Sequence, residues 1–96
     1  MPHYQRIAIE TFLNLGELSS KKIRARPLPG QGYPADMRVE CSSRMRDAHP
    51  IGTVFIVQAQ LKQKVGEKPF LYTSWQWKYE VVDKAIAKGK IESGSL

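Results

Sequence analysis

An alternation of apolar and polar residues, interrupted by one turn, constrains the fold of this chain more than any other feature. Apolar side chains recur at every second position over residues 53–65, and the same period returns over residues 70–82. Successive side chains of a β-strand point to opposite faces, so this period predicts two strands that each bury one face. The segment from Gly66 to Pro69 between them has the composition of a turn. The sequence therefore predicts a long antiparallel hairpin.

Parity within the second strand assigns its aromatic residues to two faces. Trp75, Trp77 and Tyr79 share the parity of the apolar positions, and we expect their rings in the core. Tyr72 has the opposite parity, and we expect its ring to be exposed. All four rings, together with Tyr33 in the proline-rich stretch, are candidate stacking surfaces, and Tyr72 is the better candidate for an exposed one.

Shorter elements follow from local patterns elsewhere in the chain. Alternation predicts a strand at 22–26 with a cationic outer face and another at 37–41. The proline-rich stretch 27–34 between them predicts a loop, which could also cover a ligand pocket. Short helical turns are expected at 43–48, after a Ser42 or Ser43 cap, and at 84–88, between Asp83 and Gly89, with a frayed tail over 91–96.

Residues 4–15 allow two interpretations. Apolar side chains at spacings of three and four, followed by Gly16, favour a helix. Alternation of Ile7 and Ile9, resumed at Leu13, favours a strand. We favour the helix, because the segment is long and ends at a glycine.

These elements predict a mainly β (α+β) fold. A sheet with one apolar face and few other apolar residues to cover it buries that face most simply by curling on itself. We predict a small antiparallel β-barrel, SH3-like or OB-like, with an N-terminal helix and short helical turns; an open sheet with helices on one face is the alternative. The chain of 96 residues suits one domain, with the N-terminal helix and connection in 1–20, the barrel core in 21–82 and a short helix and tail in 83–96.

Composition narrows the cellular setting. No apolar run approaches the ~20 residues that cross a bilayer, and the N-terminus lacks the pattern of a signal peptide. One cysteine, Cys41, precludes an internal disulfide framework and a cysteine-based zinc site. We expect a cytoplasmic protein without a membrane partner.

Catalysis has little support in the sequence. Cys41 has the parity of a core residue, and a lone buried thiol usually acts as a small apolar side chain. His3 and His49 belong to no metal-binding or catalytic motif, and no phosphate-binding glycine loop is present. We expect no enzyme activity, no metal and no cofactor.

Positive charge provides the strongest functional signal. The chain carries 15 Lys and Arg against 9 Asp and Glu, a net charge of +6. Guanidinium groups bind phosphate in bidentate fashion, and aromatic rings among them stack on bases. The sequence therefore predicts a surface for non-specific or single-stranded nucleic-acid binding, formed by Lys22, Arg24, Arg26, Arg38, Arg44, Arg46 and Tyr72.

Each part of that signal also fits a second class of function. Lysine and arginine on a strand protect sheet edges from aggregation, and aromatic residues anchor protein interfaces. The alternative prediction is therefore a protein-interaction or homodimerising domain that uses the aromatic hairpin. Nucleic-acid binding would weaken steeply with salt, whereas an aromatic interface would not.

Overall fold

A nearly closed, barrel-shaped sheet forms most of the protein. The computed structural model describes residues 4–13, 23–74 and 76–96. The elements in chain order are β1 (Gln5–Leu13), β2 (Ile23–Pro27), β3 (Val39–Glu40), α1 (Ser43–Asp47), β4 (Val54–Lys62), β5 (Phe70–Tyr72), β6 (Tyr79–Val82) and α2 (Lys84–Ser93). The prediction of a mainly β, barrel-like fold is confirmed at this level.

Strand order explains how the sheet curls. The strands follow the order β2-β1-β4-β5-β3, and β6 pairs with β4 beside that path. All pairs are antiparallel except β3 with β5. The first and last strands of this order, β2 and β3, lie close to each other. The sheet therefore closes into a barrel except for a narrow gap between these two strands.

The predicted N-terminal helix is wrong, because residues 5–13 form the strand β1. This strand lies between β2 and β4, so both of its edges are paired, and its two faces pack against two separate apolar clusters. Ile7 and Ile9 face the barrel interior, whereas Ala8 faces a second cluster beneath α2. Because both faces are buried, polar and apolar residues do not alternate along this strand. The apolar residues that result also fit the spacing of three and four that is typical of a helix.

The predicted second strand of the hairpin is also interrupted. Tyr72 of β5 lies opposite Gln60, whereas Tyr79 of β6 lies opposite Val57. Two residues of β4, 58 and 59, thus lie between these pairs, whereas six residues of the returning chain, 73–78, leave the ladder with β4. The parity of the core positions continues across this connection, because Tyr79 lies opposite the interior residue Val57 and packs against Phe55. The Tyr79 side chain is nevertheless 40% exposed, so it lines the core without being buried in it. Trp75 lies outside the described residues.

The two described helices pack against different apolar clusters: α1 contributes Met45 to the interior cluster, and α2 contributes Ala87 to the cluster around Ala8 and Val54. Ser42 caps α1 as predicted, since its hydroxyl accepts a hydrogen bond from the Met45 backbone N–H at 3.5 Å. The helix α2 is longer than predicted and continues through Gly89 to Ser93, where Gly94 adopts the left-handed conformation that ends helices. The predicted frayed tail over 91–96 is therefore wrong for its first half. None of the described helices is both long and apolar enough to cross a membrane.

A side-chain amide anchors the loop that follows β2. The Gln31 carbonyl oxygen accepts from the Ala8 backbone N–H at 2.7 Å, and its amide nitrogen donates to the Ala8 carbonyl at 2.9 Å. Gln31 thus supplies the hydrogen bonds that a neighbouring strand would supply to β1. Gln31 is therefore part of the scaffold, whereas residues 35–38 at the end of the same loop line the surface described next.

Candidate nucleic-acid interface

A groove made of three adjoining cavities crosses one side of the barrel. The gap cavity, about 170 Å³, lies between β2 and the approach to β3 and is lined by Phe12, Arg24, Ala25, Arg26, Ala35, Asp36, Met37, Arg38 and Val39. The central cavity, about 350 Å³, is lined by Arg24, Arg38, Val39, Glu40, Cys41, Ser42, Arg46, Tyr72 and Thr73. The aromatic cavity, about 500 Å³, is lined by Ser42, Arg44, Met45, Val57, Thr73, Ser74, Trp77 and Tyr79. Shared lining residues make the three cavities continuous.

The groove brings together most of the residues that the sequence predicts for binding. Arg24, Arg26, Arg38, Arg44, Arg46 and Tyr72 all line it. Lys22 lies outside the described residues. Among the residues that the structure describes, only Asp36 and Glu40 contribute carboxylates to the lining. The groove is therefore rich in guanidinium groups and attracts anions.

Strand parity places the arginines of β2 as the alternating pattern predicts. Ala25 is buried in the barrel core, and Arg26 on the opposite face is exposed. The Arg26 Nε donates to Glu10 Oε1 at 3.1 Å, and its guanidinium lies 4.6 Å from the centre of the Phe12 ring. Arg26 therefore already has a carboxylate partner and an aromatic support.

Glu10 joins three elements through this contact. Its second oxygen lies 3.1 Å from Lys84 Nζ, so one carboxylate of β1 holds both β2 and α2. Burial on its own raises the pKa of Glu10, but the hydrogen bonds and positive charges of Lys84 and Arg26 outweigh it and leave the pKa below its usual value. This cluster therefore stabilises the fold.

Arg38 is exposed and only loosely held. Its guanidinium lies 3.3 Å from Glu40, and both side chains are about half exposed. It also lies 4.7 Å from the centre of the Phe70 ring, which supports one face of the guanidinium. An ion pair this exposed contributes about 0–1 kcal/mol, so a phosphate can replace Glu40 at little cost.

Arg46 departs from the expected exposed position. It is 8% exposed, because α1 is one short turn laid against β2 and both Met45 and Arg46 face the barrel. One terminal nitrogen donates to the Ile23 carbonyl at 2.8 Å. Arg44, on the outer face of the same turn, is exposed as predicted.

Aromatic side chains form the other wall of the groove. Tyr72 is half-buried; Lys62 Nζ lies 4.2 Å from its ring centre, and the edge of Trp77 lies against it. Trp77 also meets Tyr4, with 4.4 Å between ring centres. Tyr79 packs against the buried Phe55 and lies 3.3 Å from His49 Nε2. The sequence shows these rings but not their position, because parity assigns Trp77 and Tyr79 to the core.

The described residues of the groove hold no cluster of metal-ligating side chains. Among them, no group of three or more His, Cys, Asp or Glu side chains lies close enough together to hold a metal ion. Cys41 is half-buried, packs against the barrel core and lines the central cavity. What this arrangement offers is guanidinium groups, hydroxyls and rings, which bind anions and planar groups.

Comparison with protein-family models, with curated proteins and with solved structures finds no match. The function of this groove is therefore inferred from its residues.

Proposed function

We propose that the protein is a non-enzymatic module that binds single-stranded nucleic acid in this groove, on a small barrel of SH3-like or OB-like type. One observation carries the proposal: four arginines and three aromatic residues line two cavities that share Ser42 and Thr73. Guanidinium groups bind the phosphates of a backbone, and rings stack on unpaired bases.

The shape of the groove favours a single strand over a duplex. Proteins read duplex DNA mainly with a helix or a two-stranded ribbon that enters the major groove. Here the charged residues line concave cavities, and the adjacent helix α1 has only five residues. Unpaired bases can enter such cavities, whereas paired bases stay within the duplex.

Binding by phosphate contacts has a measurable salt dependence. Each phosphate neutralised on a single strand adds about −0.7 to the slope of log K against log salt. Arg44 and the central cavity, which Arg38 lines, correspond to about two phosphates. We therefore expect a slope of roughly −1.4.

Fluorescence anisotropy with a labelled single strand tests the proposal. A random-sequence oligonucleotide of about twelve nucleotides covers the footprint of a small barrel. We expect binding at about 50 mM salt that weakens by roughly sevenfold at about 200 mM. Replacing Arg44 with glutamine (R44Q) should weaken binding about threefold to tenfold, since one charge-assisted phosphate contact is lost.

Arg6 provides the matched control. It is exposed, lines none of the three groove cavities and pairs with Glu80 at 3.1 Å. R6Q removes one positive charge, as R44Q does. It should change the affinity for the oligonucleotide by less than about twofold, because only the overall electrostatic field of the protein becomes slightly weaker. Equal weakening by R44Q and R6Q would show that net charge, and not the groove, governs binding. No binding at low salt would overturn the proposal.

Self-association is the second candidate function. Among the described strands, β6 pairs only with β4, so its other edge is available for another strand. Val81 on this strand and Ile86 on α2 are each more than half exposed. Apolar residues beside an open sheet edge favour a second copy of the chain as partner. Light scattering with and without V81K would distinguish a dimer from the proposed monomeric module.

A further inference from the structure

Arg46 is a buried cation without a carboxylate partner among the described residues. The ion pairs in this part of the chain involve Arg6, Arg26, Arg38 and Lys84, but not Arg46. Among the described residues, its guanidinium donates to the neutral Ile23 carbonyl, and its Nε is buried without a hydrogen-bond partner. A buried charge is strongly destabilising unless a counter-charge or several hydrogen bonds offset it.

The central cavity lies where an anion would supply that counter-charge. Arg46 lines this cavity together with Arg38, which approaches from the strand side, and with Arg24 from β2. The Ser42 and Thr73 side chains, also in the lining, add hydroxyl groups that can donate to an oxygen. Its volume of about 350 Å³ exceeds the space of one water and accommodates a small polyatomic anion.

We propose that the central cavity is a phosphate-binding subsite, with Arg46 as its buried anchor and Arg38 as its exposed clamp. This inference rests on the proposed function and deepens it, because it assigns one phosphate of the bound strand to a defined position. The phosphate oxygens accept hydrogen bonds from guanidinium groups and hydroxyls that approach from different directions. That arrangement suits a tetrahedral anion with several acceptor oxygens better than a planar carboxylate with two.

The neighbouring aromatic cavity accepts the base attached to that phosphate. The two cavities share Ser42 and Thr73, so a base that enters between Trp77 and Tyr79 lies next to the central cavity. The recognised unit is then one nucleotide, held by its phosphate on one side and by its ring on the other. The remaining nucleotides of the strand contribute mainly non-specific charge contacts.

Titration with inorganic phosphate, followed by ¹H–¹⁵N NMR, tests the subsite without an oligonucleotide. We expect saturable shifts of the Ser42 and Thr73 amide signals with phosphate, and shifts at least threefold smaller with acetate at equal ionic strength. R46M should weaken phosphate binding by about tenfold or more, since the buried anchor is lost. R38Q should weaken it several-fold and R6Q should leave it unchanged.

R38Q protects the test against a folding defect. Arg38 is about half exposed, so its replacement leaves the core intact even where R46M lowers stability. The α2 amide signals report whether each variant keeps its fold. Phosphate binding that is unchanged in both R46M and R38Q would overturn the subsite, as would equal shifts with acetate and phosphate.

The outcomes separate this inference from the proposed function. Phosphate binding at Ser42 and Thr73 without any oligonucleotide binding would retain the anion subsite and refute nucleic-acid binding. Oligonucleotide binding that is insensitive to R46M and R38Q would retain nucleic-acid binding and refute the subsite. Saturable phosphate binding that competes with the oligonucleotide supports both.

Discussion

Arg26 and Arg46 show two different uses of the same side chain within one small barrel. Arg26 contacts Glu10, which also contacts Lys84, so a carboxylate neutralises the charge and joins β1, β2 and α2. Arg46 is more deeply buried, yet among the described residues its hydrogen bond goes to a backbone carbonyl and no carboxylate approaches it. An arginine with a buried carboxylate partner contributes to stability, whereas one that lines a cavity without such a partner is available to an anion. The difference in counter-charge, rather than in exposure, separates the structural arginine from the binding arginine.

The largest expected effect concerns stability on the Glu10 side. E10A leaves Arg26 and Lys84 without their carboxylate, and we expect it to lower the free energy of unfolding by about 1–3 kcal/mol. R46M removes a buried charge that lacks a carboxylate partner among the described residues, and we expect a change within about 1 kcal/mol. Urea unfolding followed by circular dichroism measures both values. A larger loss for R46M than for E10A would contradict this comparison.

Binding should show the reverse order. R38Q should weaken single-strand binding about tenfold, because Arg38 can exchange Glu40 for a phosphate. R26Q should weaken it less than about threefold, because Arg26 stays with Glu10 whether or not a strand is bound. Anisotropy under identical salt conditions measures the two affinities. An equal loss of affinity in R38Q and R26Q would indicate that both arginines contact the strand, whether or not a carboxylate already pairs with them.

The pH dependence of stability sharpens the role of Glu10. Its pKa is lowered in the folded state, so the stabilisation is complete above the unfolded-state pKa of about 4.3 and is lost as the pH falls through the folded-state value. The free energy of unfolding of the wild type should therefore exceed that of E10Q by about 1 kcal/mol at neutral pH, and the two values should converge in acid. The difference is modest because the side chains that pair with Glu10 are exposed and solvent screens their charges. A difference that persists unchanged at about pH 2 would exclude this ionisation as the cause.

The smallest expected effect comes from Glu40. E40Q frees Arg38 from its half-exposed ion pair and removes a negative charge from the central cavity. We expect single-strand affinity to rise about twofold to threefold, which corresponds to the modest strength of such a pair. E67Q, a change of equal charge at an exposed residue outside the groove cavities, is the control. A similar gain in both variants would assign the effect to net charge.

Local patterns predicted the parts of the fold that have one buried face. Alternation located β2 and β4 within a few residues, and Ser42 marked the start of α1. The same reasoning failed for β1, because a central strand buried on both faces has no polar alternation. It also failed at residues 73–78, since a run of residues that leaves the ladder keeps the alternation of the flanking strands and shows no break in sequence.

The candidate site was predictable in composition but not in geometry. Strand parity placed Arg24 and Arg26 opposite the core residue Ala25, and the structure brings them into one groove with Arg38. The sequence could not show that Arg44 is exposed and Arg46 is buried. Both lie on the single turn of α1, and tertiary packing decides which side of such a turn faces the barrel. Nor could it identify Glu10 as the partner of Arg26, since that contact requires the register between β1 and β2.

The departure of residues 73–78 from the ladder has a consequence for how this protein can change. β5 and β6 each pair with β4, and Thr73, which is buried and donates its backbone N–H to the Glu40 carbonyl at 2.9 Å, still belongs to the packed sheet. Trp77, which contributes to the wall of the aromatic cavity, lies further along the connection and takes part in none of the described strand pairs. Ligand preference can therefore be altered by substitutions at residues 76–78 while the described strand pairing is preserved.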